Sequence, residues 1–256
     1  MNIAIVTGAS SGLGREFVRL LDRDELLDEI WVIARREDRL RALGQNAAMP
    51  LRILPLDLTE KAALRELASR LEEEQPQVRM LINAAGFGKI GGEEDLSLED
   101  CEGMIDLNCR AAVAVTHMAL PYMGPGDHIM QICSTAAFQP FPYLNLYAAS
   151  KAFLYRYSRA LRVELLSRRI SVTAVCPYWI RDTEFIGTAQ KTRNSEYIRH
   201  FWPASRQKTV AKWALFDTRL GLPVSTPGPV CLIHRIVAKF IPSELMMGLW
   251  AILRRL

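Results

Sequence analysis

The chain has 256 residues, half of them apolar, and its 32 lysines and arginines against 28 aspartates and glutamates leave a net charge of +4. This length suits one large domain with a substantial core, and so small and scattered a charge excess argues against nucleic acid as a partner. The five cysteines form no Cys-x-x-Cys pair, and neither they nor the four histidines show metal-ligand spacing, so we expect reduced thiols, a cytoplasmic protein and no metal site.

Six short apolar runs recur along the chain and are separated by longer segments with helical periodicity. We predict strands at residues 3–6, 29–34, 51–55, 80–84, 128–134 and 171–176. The first run leads directly into a glycine-rich turn, which leaves no room for a secretory signal. Short continuous apolar runs are typical of parallel strands covered by helices on both faces. The sequence therefore predicts an α/β fold, a Rossmann-type doubly wound parallel sheet, in a single domain over residues 1–256 with a helical C-terminal extension.

A glycine-rich turn, Thr-Gly-Ala-Ser-Ser-Gly-Leu-Gly, follows the first strand, and we predict that the next helix begins near Arg15. Glycines allow a tight turn and a close approach to a pyrophosphate, and a helix N-terminus offers that anion free N–H groups and a positive dipole. Three glycines alone also fit an ordinary strand-to-helix connection. The residues that we predict to bind a dinucleotide here are Gly8, Ser10, Ser11, Gly12, Leu13 and Gly14.

The end of the second predicted strand indicates which dinucleotide binds. The position at which a carboxylate would accept hydrogen bonds from the adenosine ribose is Arg35, followed by Arg36. A carboxylate would repel a 2′-phosphate, whereas a guanidinium pairs with it bidentately, so we predict NADPH as the preferred cofactor. The alternative is that both arginines are solvated and pair with Glu37 and Asp38.

The third and fourth predicted strands also end in candidate cofactor residues. Ligands of open parallel sheets bind at the carboxyl edge, where these segments lie. We predict that the adenine side of the cofactor lies near Asp57, Leu58, Asn83, Ala84 and Gly86.

Tyr147 and Lys151 are four residues apart in Tyr-Ala-Ala-Ser-Lys, so on a helix their side chains point the same way. A free tyrosine titrates near ~10, and a neighbouring ammonium lowers this pKa by stabilising the phenolate. Ser134, at the end of the fifth predicted strand, could donate a hydrogen bond to a reacting carbonyl oxygen. A Tyr-x-x-x-Lys pair alone is common on helix surfaces, so the combination is what predicts a proton-transfer site.

In order and spacing, these motifs, together with Asn108, resemble the short-chain dehydrogenase/reductase (SDR) family over roughly residues 2–180. The resemblance implies an oxidoreductase in which the nicotinamide carries the hydride. It implies that Tyr147 donates the proton, that Lys151 also holds the nicotinamide ribose, and that Ser134 orients the substrate oxygen. It further implies that Asn108 anchors a water relay behind Lys151.

The resemblance also implies a homodimer or homotetramer, built by pairing the helices that carry Asn108 and Tyr147. The side chains that could supply this surface, unless they are buried inside one chain, are Ala111, Ala112, Val115, Leu154 and Leu161.

The sequence departs from the family after the sixth predicted strand, where the usual Pro-Gly is Pro177-Tyr178. We predict nicotinamide contacts from Pro177 and Thr183.

Residues 181–209 are polar and aromatic and are predicted to form a substrate lid. Their side chains Phe185, Tyr197, Phe201 and Trp202 predict an apolar carbonyl or alcohol substrate. From about residue 205 the chain shows a weaker resemblance to the ketosteroid and 3-ketoacyl-type reductases.

Residues 230–256 predict an amphipathic helical tail, with Ser243 capping its second helix. The predicted apolar face comprises Val230, Ile233, Ile236, Val237, Phe240, Leu245, Met246, Leu249, Trp250, Leu253 and Leu256. This face could pack on the protein itself or at an oligomer contact. It could also lie on an anionic membrane surface, with Trp250 at headgroup level and Arg254 and Arg255 near phosphates.

The sequence favours an NADPH-dependent oxidoreductase acting on a carbonyl or alcohol of an apolar, lipid-, steroid- or acyl-like molecule. The alternatives are a dinucleotide-binding regulator without turnover and a peripheral membrane protein, because a fold alone does not prove chemistry. The presence of both Tyr147 and Lys151 argues against the regulator.

Overall fold

The computed structural model describes residues 1–254, except for the side chain of Leu253. Arg255 and Leu256, which belong to the predicted tail, lie outside the described residues, as does the side chain of Leu253.

One sheet of parallel strands organises the protein, in the order β3-β2-β1-β4-β5-β6-β7. The chain starts in the middle of the sheet, builds one half outward, and returns to build the other half, so the topological switch point lies between β1 and β4. The predicted doubly wound sheet and its six predicted strands are confirmed. The strands are β1 (Asn2–Thr7), β2 (Glu29–Ile33), β3 (Leu51–Leu54), β4 (Gln77–Asn83), β5 (His128–Ile132), β6 (Ser171–Val175) and β7 (Val224–Ser225).

Strand β7 was not predicted, because it lies in a segment dense in proline and glycine. It contains two residues, and the register places Val224 beside Ala174 of β6. So short a strand has no periodicity that a sequence could display.

Helices cover both faces of the sheet. Alternate residues of β1 show this directly, since Ile3 and Ile5 are buried in one core cluster and Ala4 and Val6 in the other. The helices are α1 (Gly12–Leu21), α2 (Glu37–Gly44), α3 (Lys61–Glu74), α4 (Leu98–Ile105), α5 (Ala112–Ala119), α6 (Asn145–Glu164), α7 (Phe185–Ala189), α8 (Gln207–Arg219), α9 (Pro229–Phe240) and α10 (Ser243–Leu253).

Two helix starts differ from the sequence predictions. Helix α1 begins at Gly12, three residues before Arg15, because the glycine-rich turn itself leads into the first helical turn. Helix α10 begins at Ser243, and its N-cap is Pro242, so the predicted cap at Ser243 is wrong.

The sequence left two environments open for the five side chains considered for oligomerisation, and the structure shows burial inside the chain. All five proposed side chains are buried within the chain, where they pack on the sheet and on neighbouring helices, so they offer no surface to a second copy. The exposed large apolar residues of α6 are Phe153 and Val163.

The C-terminal tail is helical, as predicted, but its apolar residues are divided between two environments. Met246 and Trp250 of α10 are buried against the protein. The exposed members of the predicted face are Ile233, Ile236, Phe240, Leu245 and Leu249. The placement of Trp250 and Arg254 at a headgroup layer is therefore wrong, because both are buried in contacts with the rest of the chain. Within residues 1–254, no helix combines the length and the apolar character needed to cross a bilayer.

Candidate active site

A cleft of about 850 Å³ opens along the carboxyl edge of the sheet, at the switch point between β1 and β4. It brings together most of the predicted site residues from distant parts of the chain. They are Gly8, Ser10, Ser11, Gly12, Leu13, Gly14, Arg35, Asp57, Leu58, Ala84, Gly86, Ser134, Tyr147, Lys151, Pro177 and Thr183. The side chains of Asn83 and Asn108 are buried behind its wall.

The glycine-rich turn is shaped by close backbone contacts. Gly8 has φ +68°, and a Cβ there would lie 2.8 Å from the carbonyl oxygen of Ala84. A Cβ on Gly14 would lie 2.3 Å from the carbonyl oxygen of Gly8. Larger residues would therefore push the turn away from β4 and α1. Ser11 does not cap α1 with its side chain, so the amides of the first helical turn remain available to an anion.

Asn83 was predicted to lie near the adenine side of the cofactor, and its side-chain amide is directed at α5. Its Nδ2 donates to Thr116 Oγ1 at 2.9 Å and points toward the carbonyl of Ala112 at 3.4 Å, both on α5. The amide therefore ties the end of β4 to α5, and the placement of the adenine side of the cofactor near Asn83 stays a prediction.

Two arginines stand where the adenosine end of a dinucleotide would lie. The side chain of Arg35 is 72% exposed, and its Nη1 is 3.6 Å from Asp57 Oδ2. Burial acts to raise the pKa of Asp57, but hydrogen bonds from Thr59 and the charge of Arg35 hold it below its ordinary value. Arg36 donates from Nη2 to Ser11 Oγ at 2.9 Å and to Ser10 Oγ at 3.2 Å.

Arg36 was noted in the sequence but not chosen as a site residue. Its guanidinium contacts the hydroxyls of the glycine-rich turn, and its Nη1 donates to Glu184 at 2.8 Å. Arg39 also pairs with Glu184. Both hydrogen bonds lower the pKa of Glu184, so this carboxylate stays ionised between the two arginines. The contact joins the segment of α7 to the cofactor side of the cleft.

The chemical end of the cleft is built by α6 and the segment after β5. Tyr147 and Lys151 lie one helical turn apart, with 7% and 4% of their surfaces exposed. Lys151 Nζ donates to the carbonyl of Ile132 at 2.8 Å and lies 5.7 Å from the centre of the Tyr147 ring. Ser134 Oγ accepts a hydrogen bond from Ala136 N at 3.1 Å, which orients the hydroxyl at the cleft.

The electrostatics of this pair differ from the sequence expectation. Burial raises the pKa of Tyr147 well above its ordinary value, and the hydroxyl of Ser134 opposes only part of this effect. Burial likewise lowers the pKa of Lys151. The sequence predicts a lowering of the tyrosine pKa by the ammonium of Lys151, whereas in this structure burial is the largest cause and raises it. At neutral pH the phenol keeps its proton and can act as a proton donor.

Asn108 lies in a widened helical turn, Asp106–Ala111, between α4 and α5. Single π-turns of this kind are frequent at functional sites. Asn108 Nδ2 donates to the carbonyl of Phe87 at 2.8 Å and to Ser150 Oγ at 3.0 Å, and its Oδ1 accepts from Phe87 N. The amide thus fixes the segment after β4 against α6. The water relay implied by the family resemblance stays a prediction.

The other half of the cleft is aromatic and apolar. Its walls come from four separate segments of the chain, and their side chains include Phe141, Leu144, Trp179, Phe185 and Trp250.

The predicted lid contributes less to this lining than expected. Of its four aromatic residues proposed as lining, Phe185 lines the cleft, with its ring centre 5.3 Å from that of Tyr147. Trp202 is 85% exposed, so its assignment to the lining is wrong. Tyr197 stacks on Tyr143, and Phe201 packs on Trp179. Phe201 therefore supports the wall from behind Trp179, and Tyr197 holds the loop that contains Tyr143.

Sequence reasoning missed Phe141 and Trp250 as pocket residues. Phe141 follows Ser134 in a loop without a motif, and Trp250 belongs to an amphipathic helix whose partner cannot be read from its own pattern. Within the described part of the chain, no cluster of three histidine, cysteine, aspartate or glutamate side chains could hold a metal ion. That the reaction uses no metal stays a prediction.

Comparison with known families matches residues 2–194 to short chain dehydrogenase. This segment is more than half of the chain, and the protein therefore belongs to the short-chain dehydrogenase/reductase family.

Individual relatives support this membership. Sulfoacetaldehyde reductase 2 of Chromohalobacter salexigens is 33% identical over 193 residues, which cover 72% of this chain and 74% of the relative. The NADP-dependent 3-hydroxy acid dehydrogenase YdfG of Escherichia coli K12 is 34% identical over 187 residues, with the same coverage. A short-chain dehydrogenase from Sphingobium yanoikuyae, solved in complex with NADPH, superposes with a TM-score of 0.79 at 28% identity and covers 97% of this chain and 95% of its own. None of the three names the ketosteroid or 3-ketoacyl branch, which stays a prediction.

Proposed function

We propose that this protein reduces a ketone or aldehyde on an apolar molecule, with NADPH as the hydride donor and Tyr147 as the proton donor. The chain is an NADP(H)-dependent oxidoreductase of the SDR family, with the family's Ser134, Tyr147 and Lys151 in one cleft. The observation that carries the substrate class is the aromatic half of that cleft.

The residues around the glycine-rich turn fit a phosphorylated dinucleotide. The absence of a Cβ at Gly8 and Gly14 lets the turn pack closely against Ala84 and the first turn of α1. The N-terminus of α1 provides amides for a pyrophosphate. Arg35 and Arg36 provide guanidinium groups for a 2′-phosphate. The nicotinamide, when bound, supplies the hydride.

The chemical residues have separate tasks in this proposal. Ser134 donates a hydrogen bond to the substrate oxygen and so holds the carbonyl beside Tyr147. The phenol of Tyr147 gives its proton to the oxygen as charge develops there. Lys151, one turn away on α6, stabilises the phenolate that remains. The buried aromatic wall excludes water from this transfer.

The charges at the substrate half argue against an anionic substrate. Lys89 lines this part of the cleft, but its Nζ is 3.1 Å from Asp100 Oδ1 and donates to the carbonyl of Lys191 at 2.9 Å. A carboxylate or sulfonate would have to displace Asp100 to gain this cation, whereas an apolar group meets aromatic rings directly. We therefore infer that a neutral ketone is favoured over the acids named for the relatives.

A ketone panel with purified protein and NADPH tests this function. We expect kcat/KM for acetophenone to exceed that for 3-oxobutanoate by about tenfold or more, which is the discrimination expected when a charge loses its solvation. Lys89→Ala serves as a control, since it should leave the acetophenone rate unchanged. Efficient reduction of the keto acid, abolished by that substitution, would show instead that Lys89 binds an acid. Absence of turnover with every carbonyl would favour the alternative of a regulator.

Helices α9 and α10 expose apolar side chains, and this observation favours a second proposal. We propose that these side chains contact an anionic membrane, from which an apolar substrate enters the cleft. Ile233, Ile236 and Phe240 are exposed on α9, and Arg235 and Lys239 lie on the same helix. The variant Ile236→Ser/Phe240→Ser should lose co-sedimentation with phosphatidylserine vesicles, whereas Leu26→Ser, which changes an exposed apolar residue outside the tail, should keep it. Equal sedimentation of the folded variants would contradict membrane contact.

We also propose a homodimer or homotetramer, now with exposed side chains of α6 in place of the buried set predicted from the sequence. Phe153 and Val163 are the large apolar side chains that α6 exposes to solvent, where a second copy could cover them. Light scattering should show the assembly in the parent and its loss in Phe153→Ser/Val163→Ser. A monomer at all concentrations would contradict it.

A further inference from the structure

The C-terminal helix α10 reaches the substrate half of the cleft from outside the segment matched to the family. The family match ends at residue 194, yet Trp250 lines the cleft and is 8% exposed. Its ring meets that of Phe141 edge to face, with centres 5.0 Å apart and planes at 82°. Its Nε1 donates to the carbonyl of Pro142 at 3.3 Å. The indole is therefore held in one orientation by the loop that precedes Tyr147.

A second set of contacts fixes the end of α10. Arg254 donates from Nη1 to the carbonyl of Tyr197 at 3.0 Å, and its guanidinium lies 4.2 Å from the centre of the Tyr143 ring. Tyr143 and Tyr197 stack with centres 4.0 Å apart. Tyr143 lies next to Pro142, so Trp250 and Arg254 of α10 both hold the loop that precedes Tyr147. The helix cannot swing away from the cleft without losing a buried cation–π contact.

Helix α9 braces the start of this loop. His234 donates from Nε2 to Gln139 Oε1 at 2.9 Å, and its ring lies edge-on to Phe141 at 5.8 Å. The segment between Ser134 and Tyr147 is thus supported by both tail helices. Its position is set by residues that come after residue 229 in the chain.

We infer that Trp250 is a specificity-determining residue, and that it limits the size of the apolar substituent that the substrate carbonyl can carry. The inference rests on the proposed carbonyl reductase activity and names the wall that selects among its substrates. A rigid indole offers a flat apolar surface to an aromatic or alicyclic group and leaves little room for a second ring. Replacing it by a small residue opens space beside Phe141 without touching Ser134, Tyr147 or Lys151.

The test compares Trp250→Ala and Trp250→Phe with the control Leu249→Ala, whose side chain is 50% exposed on the same helix. The measured quantity is the ratio of kcat/KM for benzophenone to that for acetophenone. We expect Trp250→Ala to raise this ratio by about tenfold or more, the scale on which apolar pockets discriminate by size. Trp250→Phe should raise it less, and Leu249→Ala should match the parent. An unchanged ratio in a Trp250 variant with parental thermal melting overturns the inference.

Calorimetric binding of benzophenone to the protein with NADP⁺, which has no hydride to transfer, gives a readout that needs no turnover. Tighter binding by Trp250→Phe than by Leu249→Ala supports the assignment even if no ketone is reduced, in which case only the proposed activity fails. If Trp250→Ala does not fold, Trp250→Phe decides by both measurements. Equal binding by Trp250→Phe and Leu249→Ala, including an absence of binding by both, overturns the inference.

Discussion

The choice between NADPH and NADH provides the sharpest test of the cofactor site, through the substitution Arg36→Ala. Arg36 holds the hydroxyls of Ser10 and Ser11 at 3.2 and 2.9 Å, inside the turn that is expected to face the pyrophosphate. Arg35 is largely exposed, with Asp57 at 3.6 Å. Removing a charge-assisted hydrogen bond to a phosphate costs about 1.5–3 kcal/mol, or roughly 10- to 100-fold.

We expect Arg36→Ala to lower kcat/KM for NADPH within that range and to leave kcat/KM for NADH nearly unchanged. Arg35→Ala should act in the same direction but more weakly, because solvent screens an exposed guanidinium. Arg35→Asp should narrow or invert the preference, since it adds a charge that repels the phosphate. Initial rates of nicotinamide oxidation with both cofactors measure these ratios.

The matched control is Arg41→Ala, which removes a guanidinium from α2, the helix that begins directly after Arg36. Among the described residues, Arg41 pairs only with Glu37. It should leave both cofactors unaffected. Equal losses with NADPH and NADH in Arg36→Ala would refute the reasoning, because they would show that the arginine shapes the turn and does not bind the phosphate. No loss in either arginine variant would mean that both are solvated surface charges.

Three further substitutions test other parts of the site. Tyr147→Phe should abolish turnover and leave NADPH affinity nearly unchanged, and a residual rate above about a tenth would assign the proton transfer to another group. Gly14→Ala should lower the melting temperature, because its Cβ would lie 2.3 Å from a backbone oxygen and overpacking costs about 1–3 kcal/mol; parental melting would contradict the tight turn. Glu184→Gln should tighten NADPH binding about two- to fivefold by freeing Arg36 and Arg39, since an exposed ion pair contributes about 0.2–1 kcal/mol. Weaker binding in titrations would show instead that the carboxylate positions the arginines for the phosphate.

The lowered pKa of Glu184 adds a pH dependence to the last substitution. A carboxylate whose folded pKa is depressed contributes stability above its unfolded pKa and loses it as pH falls through the folded value. The difference in melting temperature between the parent and Glu184→Gln should therefore be present at neutral pH and should shrink in acid. A difference that does not change with pH would contradict the ion pair.

The local parts of this protein are determined by its sequence. Parallel strands buried on both faces need continuous apolar runs, and a tight turn against a strand needs glycine at Gly8 and Gly14, so these features are visible in the chain itself. Tyr147 and Lys151 are brought together by helical geometry alone, since four residues make about one turn. These patterns were enough to predict the doubly wound sheet and the cleft at its carboxyl edge.

Only the tertiary structure determines whether a given side chain is buried or exposed and which side chains it contacts. Asn83 lies at the predicted strand end, but its amide binds α5, and the sequence pattern does not specify on which side of the strand the chain turns. Trp250 was one apolar residue among many in an amphipathic helix, and only the packing of α10 on Phe141 separates it from its exposed neighbours. Burial also reverses the expected pKa of Tyr147, because desolvation depends on every segment that closes around the phenol. Side-chain environments of this kind arise from contacts between residues far apart in the chain, and no local pattern contains them.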